Sequence, residues 1–161
     1  MATLGFVHDR EADRVLLVRR IHKEGKDNGL GGKLEPREDI VSCMRRELRE
    51  EAGIDATELE LRGTVSWDNF EPDGTAWFGF VFLVTAWSGE PPESNAEGEL
   101  FWAPRAQVLQ WCDPAQRSAS GLDFLEGDAH FLPLVFDGHQ PFHAAMPWDK
   151  GRPVGWSVTR L

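Results

Sequence analysis

Tyrosine is missing from all 161 residues, although seven Trp and ten Phe are present; no functional conclusion follows from that imbalance. Cysteine is nearly missing too. Cys43 and Cys112 lie far apart and form no metal-spaced cluster, which excludes a cysteine-built metal site and leaves reduced, packed thiols as the default. Basic residues are scarce relative to acidic ones, 17 against 27, for a net charge of −10. That balance argues against a nucleic acid polymer as partner, because such binding is driven by Lys and Arg. A nucleotide polyphosphate stays open, provided metal ions supply the positive charge. No stretch is apolar enough to span a bilayer, and MATLGFVHDREADR at the start lacks a leader's apolar core. The expectation is a cytoplasmic protein with no membrane partner. Internal repeats, low-complexity runs and an obvious domain break are also lacking, so residues 1–161 are read as one domain, long enough for a sizeable core. Nothing fixes whether it is a monomer or dimer.

What the chain does have is a dense stretch from Gly32 to Ile54, GKLEPREDIVSCMRRELREEAGI. It predicts a glycine turn opening onto a helix that starts near Glu38–Asp39, after Pro36, and stops at Gly53. At about 100° per residue, Val41, Met44, Leu48 and Ala52 form an apolar stripe. Glu47, Glu50 and Glu51 share the neighbouring face. Like charges at that spacing cost about 0.2–0.5 kcal/mol each, and they sit at the helix's electronegative end. Arg46 offsets Glu50 at i,i+4, but no residue three or four positions from Glu47 is basic. Two readings remain: a solvated acidic face, or a site for a hard divalent cation, which prefers clustered carboxylate oxygens.

The remaining chain reads as strands at 3–7 and 15–20, joined by a polar turn at 8–13, then a loop at 21–29. Glycines 29, 31 and 32 suit a tight turn and close approach to a ligand. A Walker-type phosphate loop fails because Leu34, not Ser or Thr, follows Lys33. Strands follow at 58–67 and 75–87. The second is apolar at both alternate sets, Phe78, Phe80, Phe82 and Val84 against Trp77, Val81 and Leu83, and is expected to be central and buried on both faces. After a Pro- and Glu-rich loop at 88–98 come a strand at 99–103, a helix from Pro104 to about Cys112, a helix at 128–136, and a hairpin of 141–146 with 154–160 turned through 148–152.

The full spacing in the acidic stretch resembles the Nudix box at every fixed position: Gly32, five residues, Glu38, seven residues, Arg46-Glu47-Leu48, Arg49, Glu50-Glu51-Ala52-Gly53-Ile54. The resemblance implies an α/β fold, an α/β/α sandwich with a central mixed sheet. It also implies hydrolysis of a nucleoside diphosphate linked to another group, with Mg²⁺ or Mn²⁺. By the same resemblance Glu47, Glu50, Glu51 and a backbone carbonyl at Gly31 bind metal, Arg46 orients one of the glutamates, and Glu38 supports the loop–helix geometry. Water then attacks phosphorus, the β-phosphorus if the chain behaves like MutT, with Glu50, Glu47 or Glu97 as base. Glu97 is chosen because it keeps the family's spacing to Trp102, and its other reading is an acidic loop residue. Lys33 and Arg20 are read as neutralising terminal phosphates, or as solvated strand-end charges.

Outside the box, Asn28-Gly-Leu-Gly-Gly-Lys, Gly89-Glu-Pro-Pro-Glu-Ser-Asn, Gly127-Asp-Ala-His-Phe-Leu-Pro-Leu, Phe142-His143 and Trp156–Leu161 resemble the MutT-like branch that hydrolyses oxidised purine nucleoside triphosphates such as 8-oxo-dGTP. That likeness implies that Asn28 hydrogen-bonds the purine and Asp128 its edge. Read alone, Asn28 is a turn former and Asp128 a helix N-cap. Three departures stand out. Asp27 occupies the position of a Trp in the human-type enzyme, Gly127-Asp128 replaces two successive Asp, and Leu125 falls where a base-stacking Trp is found. Rival readings are another nucleoside triphosphate, ADP-ribose or a dinucleoside polyphosphate as substrate, or a sensor that binds without cleaving.

Overall fold

Apolar runs and glycine breaks lay out a sheet with helices on both faces. The computed structural model describes residues 1–21 and 26–160. In chain order the elements are β1 (Ala2–Asp9), β2 (Arg14–Arg20), β3 (Asp27–Asn28), α1 (Ile40–Ala52), β4 (Asp55–Asp68), β5 (Trp77–Ser88), β6 (Gly98–Pro104), α2 (Arg105–Cys112), α3 (Leu132–Phe136), β7 (Phe142–Asp149), β8 (Arg152–Pro153) and β9 (Ser157–Arg160). The strand order is β3-β2-β1-β5-β4-β7-β8, with β6 also on β2 and β9 on β7. β1 with β5 and β4 with β7 run parallel, and the other pairs are antiparallel. This is the mixed sheet expected. Among the described residues no helix is long and apolar enough to cross a membrane.

Successive side chains on the central strands enter opposite cores, as the two-residue period of a strand requires. Phe6, Val15, Leu17, Val81 and Leu83 pack with Val108, Trp111, Leu132 and Val135 of α2 and α3. Val7, Leu16, Val18, Phe82 and Val84 pack beneath Met44, Leu48 and Ala52 of α1. β5, between β1 and β4, is buried on both faces from Val81 to Val84, whereas Trp77, Phe78 and Phe80 nearer its start are half-buried.

α1 is held at both ends. The Asp39 carboxylate accepts from the N–H groups of Val41 and Ser42, at 2.9 and 3.0 Å, a cap worth about 1 kcal/mol. At the far end Gly53 donates to Arg49 O, and Ile54 N–H reaches Leu48 O. The buried stripe is Cys43, Met44, Leu48 and Ala52, whereas Val41 is exposed. The expected stripe is therefore rotated, because Cys43 Sγ meets Thr3 Oγ1 at 3.4 Å and turns Val41 outward.

Two further expectations change. The helix at 128–136 is split into a 3₁₀ turn, Glu126–His130, and α3. Pro133 has no N–H to continue a run from the preceding turn. Asp128 consequently caps no helix; Leu125 stands at the cap position. The loop expected at 21–29 contains the two-residue β3, and its positions 22–25 lie outside the described residues.

Candidate active site

The Gly31-Gly32 segment runs along β1 and presses against the inner side of α1. Thr3 N–H donates to Gly32 O at 2.8 Å, and Gly31 N–H donates to Glu51 Oε2 at 2.8 Å. Both positions need glycine. Gly31 has φ +142°, and a Cβ there would lie 2.2 Å from Thr3 O. At Gly32 a Cβ would lie 2.4 Å from Glu47 Oε1. The helix carboxylates and this glycine shelf thus touch with no side chain between them.

Arg46 organises the outer half of the cluster. Its guanidinium donates to both oxygens of Glu38 at 2.9 Å, to Glu47 Oε1 at 2.8 Å, to Glu50 Oε2 at 3.1 Å and to Lys33 O at 3.1 Å. This five-donor fork is chemistry that Lys cannot supply. It holds the Glu38 carboxyl down at about 2, mainly through the Arg46 hydrogen bonds and then the Glu35 N–H. The expectation that Glu47 lacks a basic neighbour is corrected, because the long Arg46 side chain curls back to a residue that helical spacing alone places out of reach.

The inner half is different. Burial pushes the Glu51 carboxyl up to about 7, and the charges of Glu47 and Glu97 add to this, while Gly31 N–H and Arg20 oppose it. Glu97 lies 3.6 Å from Arg20 Nη1. Glu47, Glu51, Glu97 and Arg20 are therefore electrostatic neighbours, although Glu97 is 46 residues from Glu51. Glu50 stays at the rim, its side chain 60% exposed and tied to Arg46.

On the other side of the shelf lies a cavity of about 410 Å³. Asn28, Arg20, Lys33 and Asp128, the residues expected to bind substrate, all line it, as do Gly31 and Gly32. Trp67, Phe70 and Trp77 supply aromatic walls, and Leu125 lies beside them. Lys33 Nζ sits 4.9 Å from the Trp77 ring centroid. Asp128 is 6% exposed, and burial raises its carboxyl to about 7 against the opposing N–H of Leu125.

Sequence reasoning missed Asp27 and Asn95. Asp27, 1% exposed, accepts from Arg19 Nε at 2.8 Å and from Asp123 N–H at 2.8 Å, and its own N–H donates to Asp123 O. It fastens the strand carrying Asn28 to the segment leading to Leu125 and Asp128. Only its departure from the family's Trp marked it out in the sequence.

The donor set suits a hard divalent cation: carboxylate oxygens, a glycine backbone that closes up against them, and in Glu51 a half-buried carboxyl with no cation in hydrogen-bond contact among the described residues. Among the described residues no three His, Cys, Asp or Glu side chains converge into a ready-made cage, since Arg46 draws Glu50 outward and Gly31 N–H engages Glu51.

Carboxylates gathered beside an aromatic cleft suit work on a phosphate chain whose organic end rests in the cleft, the task of a nucleotide pyrophosphohydrolase. Known proteins agree with that class. Residues 1–133 match the family model of the NUDIX domain, and the chain belongs to that family of divalent-cation-using hydrolases. It is 46% identical over 65 residues to an 8-oxo-dGTP diphosphatase of Proteus vulgaris, covering 40% of this chain and 55% of that protein. It is 32% identical over 104 residues to an 8-oxo-dGDP phosphatase of Homo sapiens, covering 61% of this chain and 30% of that protein. The matches thus span about half and under a third of those relatives' lengths. The crystal structure of a mutator MutT protein from Bacillus halodurans matches with a TM-score of 0.81 at 26% identity, covering 98% of this chain and 95% of that one.

Proposed function

We propose that the protein is a Mg²⁺-dependent hydrolase of oxidised purine nucleoside triphosphates, 8-oxo-dGTP foremost, releasing the nucleoside monophosphate and pyrophosphate; Mn²⁺ would serve in place of Mg²⁺. The observation that carries this reading is the presence of Asn28 and Asp128 in one cavity that abuts Gly31, whose N–H engages Glu51. Asn28 uses its Oδ1 on the Gly29 N–H at 2.8 Å, which leaves its NH₂ to donate to a purine acceptor. Asp128, protonated below about pH 7, offers the base edge a hydroxyl donor and a carbonyl acceptor. A site with both groups rejects a base that leaves one of them unpaired. Trp67, Phe70 and Trp77 flank the purine.

Arg20 and Lys33 neutralise the terminal phosphates from the cavity wall. Glu47, Glu50, Glu51 and the Gly31 carbonyl would hold the cation. When bound there, it supplies positive charge to the phosphate oxygens and lowers the pKa of water. Glu97 takes the proton of the water that attacks the β-phosphorus, and Glu50 or Glu47 is the alternative base. The bond from that phosphorus to the bridging oxygen breaks, and the oxygen leaves with the monophosphate. Support for the substrate comes from the relatives named 8-oxo-dGTP diphosphatase and 8-oxo-dGDP phosphatase. We assign the activity to the cytoplasm, where free thiols such as Cys43 and Cys112 persist.

Turnover of 8-oxo-dGTP, 8-oxo-dGDP, dGTP and ADP-ribose with Mg²⁺ tests this reading, with Glu50→Gln and Asn28→Ala alongside. Glu50→Gln keeps the fold and lowers turnover by orders of magnitude; near-normal turnover removes Glu50 from the mechanism. Asn28→Ala weakens selection of 8-oxo-dGTP over dGTP; unchanged selectivity removes the main support for the substrate.

A further inference from the structure

Asn95 makes a set of contacts that loop-building alone does not require. Its Nδ2 donates to the backbone carbonyl of Glu51 at 2.7 Å. Its Oδ1 accepts from the N–H groups of Glu97 at 2.7 Å and Gly98 at 2.9 Å. Its own N–H donates to Gly98 O at 2.9 Å. One amide therefore joins the last turn of α1 to the backbone of Glu97.

The other anchors of this loop lead elsewhere. Ile21 N–H donates to Glu97 O and Leu100 N–H to Glu93 O, and Arg20 meets the Glu97 carboxylate from β2. Among the described residues, Asn95 makes the one hydrogen bond between this loop and α1. Catalytic geometry has to be kept within about 0.5 Å, and β2 meets α1 through core packing of Leu16 and Val18 and through the charge of Arg20. A direct tie from the helix to the residue bearing the carboxylate sets that distance without intermediaries.

We propose that Asn95 is a positioning residue, holding Glu97 in register with the carboxylates of α1; this rests on the reading of Glu97 as the base. The chemistry is selective. An amide donates to a carbonyl and accepts from two N–H groups at once, whereas a carboxylate at position 95 only accepts. Asn95→Asp therefore keeps the contacts to Glu97 and Gly98 but loses the link to Glu51 O. A residue that merely caps its own loop tolerates that change.

The test is steady-state kinetics on 8-oxo-dGTP and dGTP for the wild type, Asn95→Asp, Asn95→Ser, Glu97→Gln and the double variant Asn95→Asp/Glu97→Gln, with Tm measured for each. Glu97→Gln is expected to lower kcat by about 100-fold or more. Asn95→Asp is expected to lower kcat about 10-fold or more, as loss of an outer supporting contact does, with KM and Tm close to wild type. On the Glu97→Gln background the same change is expected to cost less than about twofold, because the group it positions is already gone. Wild-type kcat in Asn95→Asp would overturn the proposal, and so would an equal loss on both backgrounds. If Asn95→Asp does not fold, Asn95→Ser, which also lacks the donor geometry to reach Glu51 O, decides by the same comparison. Normal kcat in Glu97→Gln refutes the base assignment itself, an outcome distinct from failure of the coupling.

Discussion

Asp128 offers the most quantitative perturbation, because a neutral isostere exists for it and it lies buried in the cavity wall. Its carboxyl is raised from the ordinary Asp value of 3.8 to about 7 by burial. Between those two values the folded chain keeps a proton that the unfolded chain releases, so stability is lost as pH rises through that window. At 1.36 kcal/mol per pH unit, the interval corresponds to about 4 kcal/mol, and the position of Asp128 on the cavity wall reduces it towards about 2 kcal/mol. Asn at this position never ionises. Asp128→Asn is therefore expected to match the wild type in stability near pH 3, below both values, and to exceed it by about 2–4 kcal/mol at pH 8.5. Urea denaturation at several pH values measures the difference directly, and subtraction removes Glu51 and every other group common to both proteins. If Asp128 meets the base edge as proposed, the same proton serves recognition, and KM for the purine substrate is expected to rise above about pH 7 in the wild type. A stability difference independent of pH would refute the reasoning, because it would mean that Asp128 titrates alike in the folded and unfolded chains.

Further outcomes follow from other parts of the site and fold. Asp27→Asn, which loses the charge that Arg19 and Asp123 N–H both meet, is expected to raise KM about 3- to 10-fold with kcat little changed; unchanged KM would mean that the clamp does not shape the pocket. If Glu51 holds the cation as proposed, protons compete with the metal for its carboxyl, which stands at about 7, and Mn²⁺ binding followed by electron paramagnetic resonance is expected to be about tenfold weaker at pH 6 than at pH 8. A flat profile would contradict Glu51 as a ligand. Arg62, 2% exposed, donates to Val135 O at 3.0 Å and His139 O at 2.8 Å, and Arg62→Met is expected to cost about 3 kcal/mol in urea denaturation; a loss below about 0.5 kcal/mol would show those carbonyls to be solvated instead.

What could be read from the chain alone was whatever is local. Fixed intervals around Glu38, Arg46 and Glu47 identified the acidic helix, and Asp39 and Gly53 set its ends. Two-sided apolar runs such as Phe78–Val84 gave the central strand. Arg46, Asn95, Asp27 and Arg62 show what was not readable. The first curls against helical spacing, and the others meet partners 44, 96 and 73 residues away. Their contacts exist only once the sheet has closed. The rotated stripe of α1 has the same origin: Val41 and Cys43 are both plausible on an apolar face, and Thr3 on β1 decides between them.

The central claim is that the carboxylates of α1 and the adjoining cavity work together on the phosphate chain of an oxidised purine nucleotide. Hydrolysis of 8-oxo-dGTP with Mg²⁺ in ¹⁸O-labelled water, followed by mass analysis of both products, tests it most directly. The predicted result is 8-oxo-dGMP without label and pyrophosphate carrying one ¹⁸O. Release of orthophosphate, label in the monophosphate, or no cleavage would contradict it.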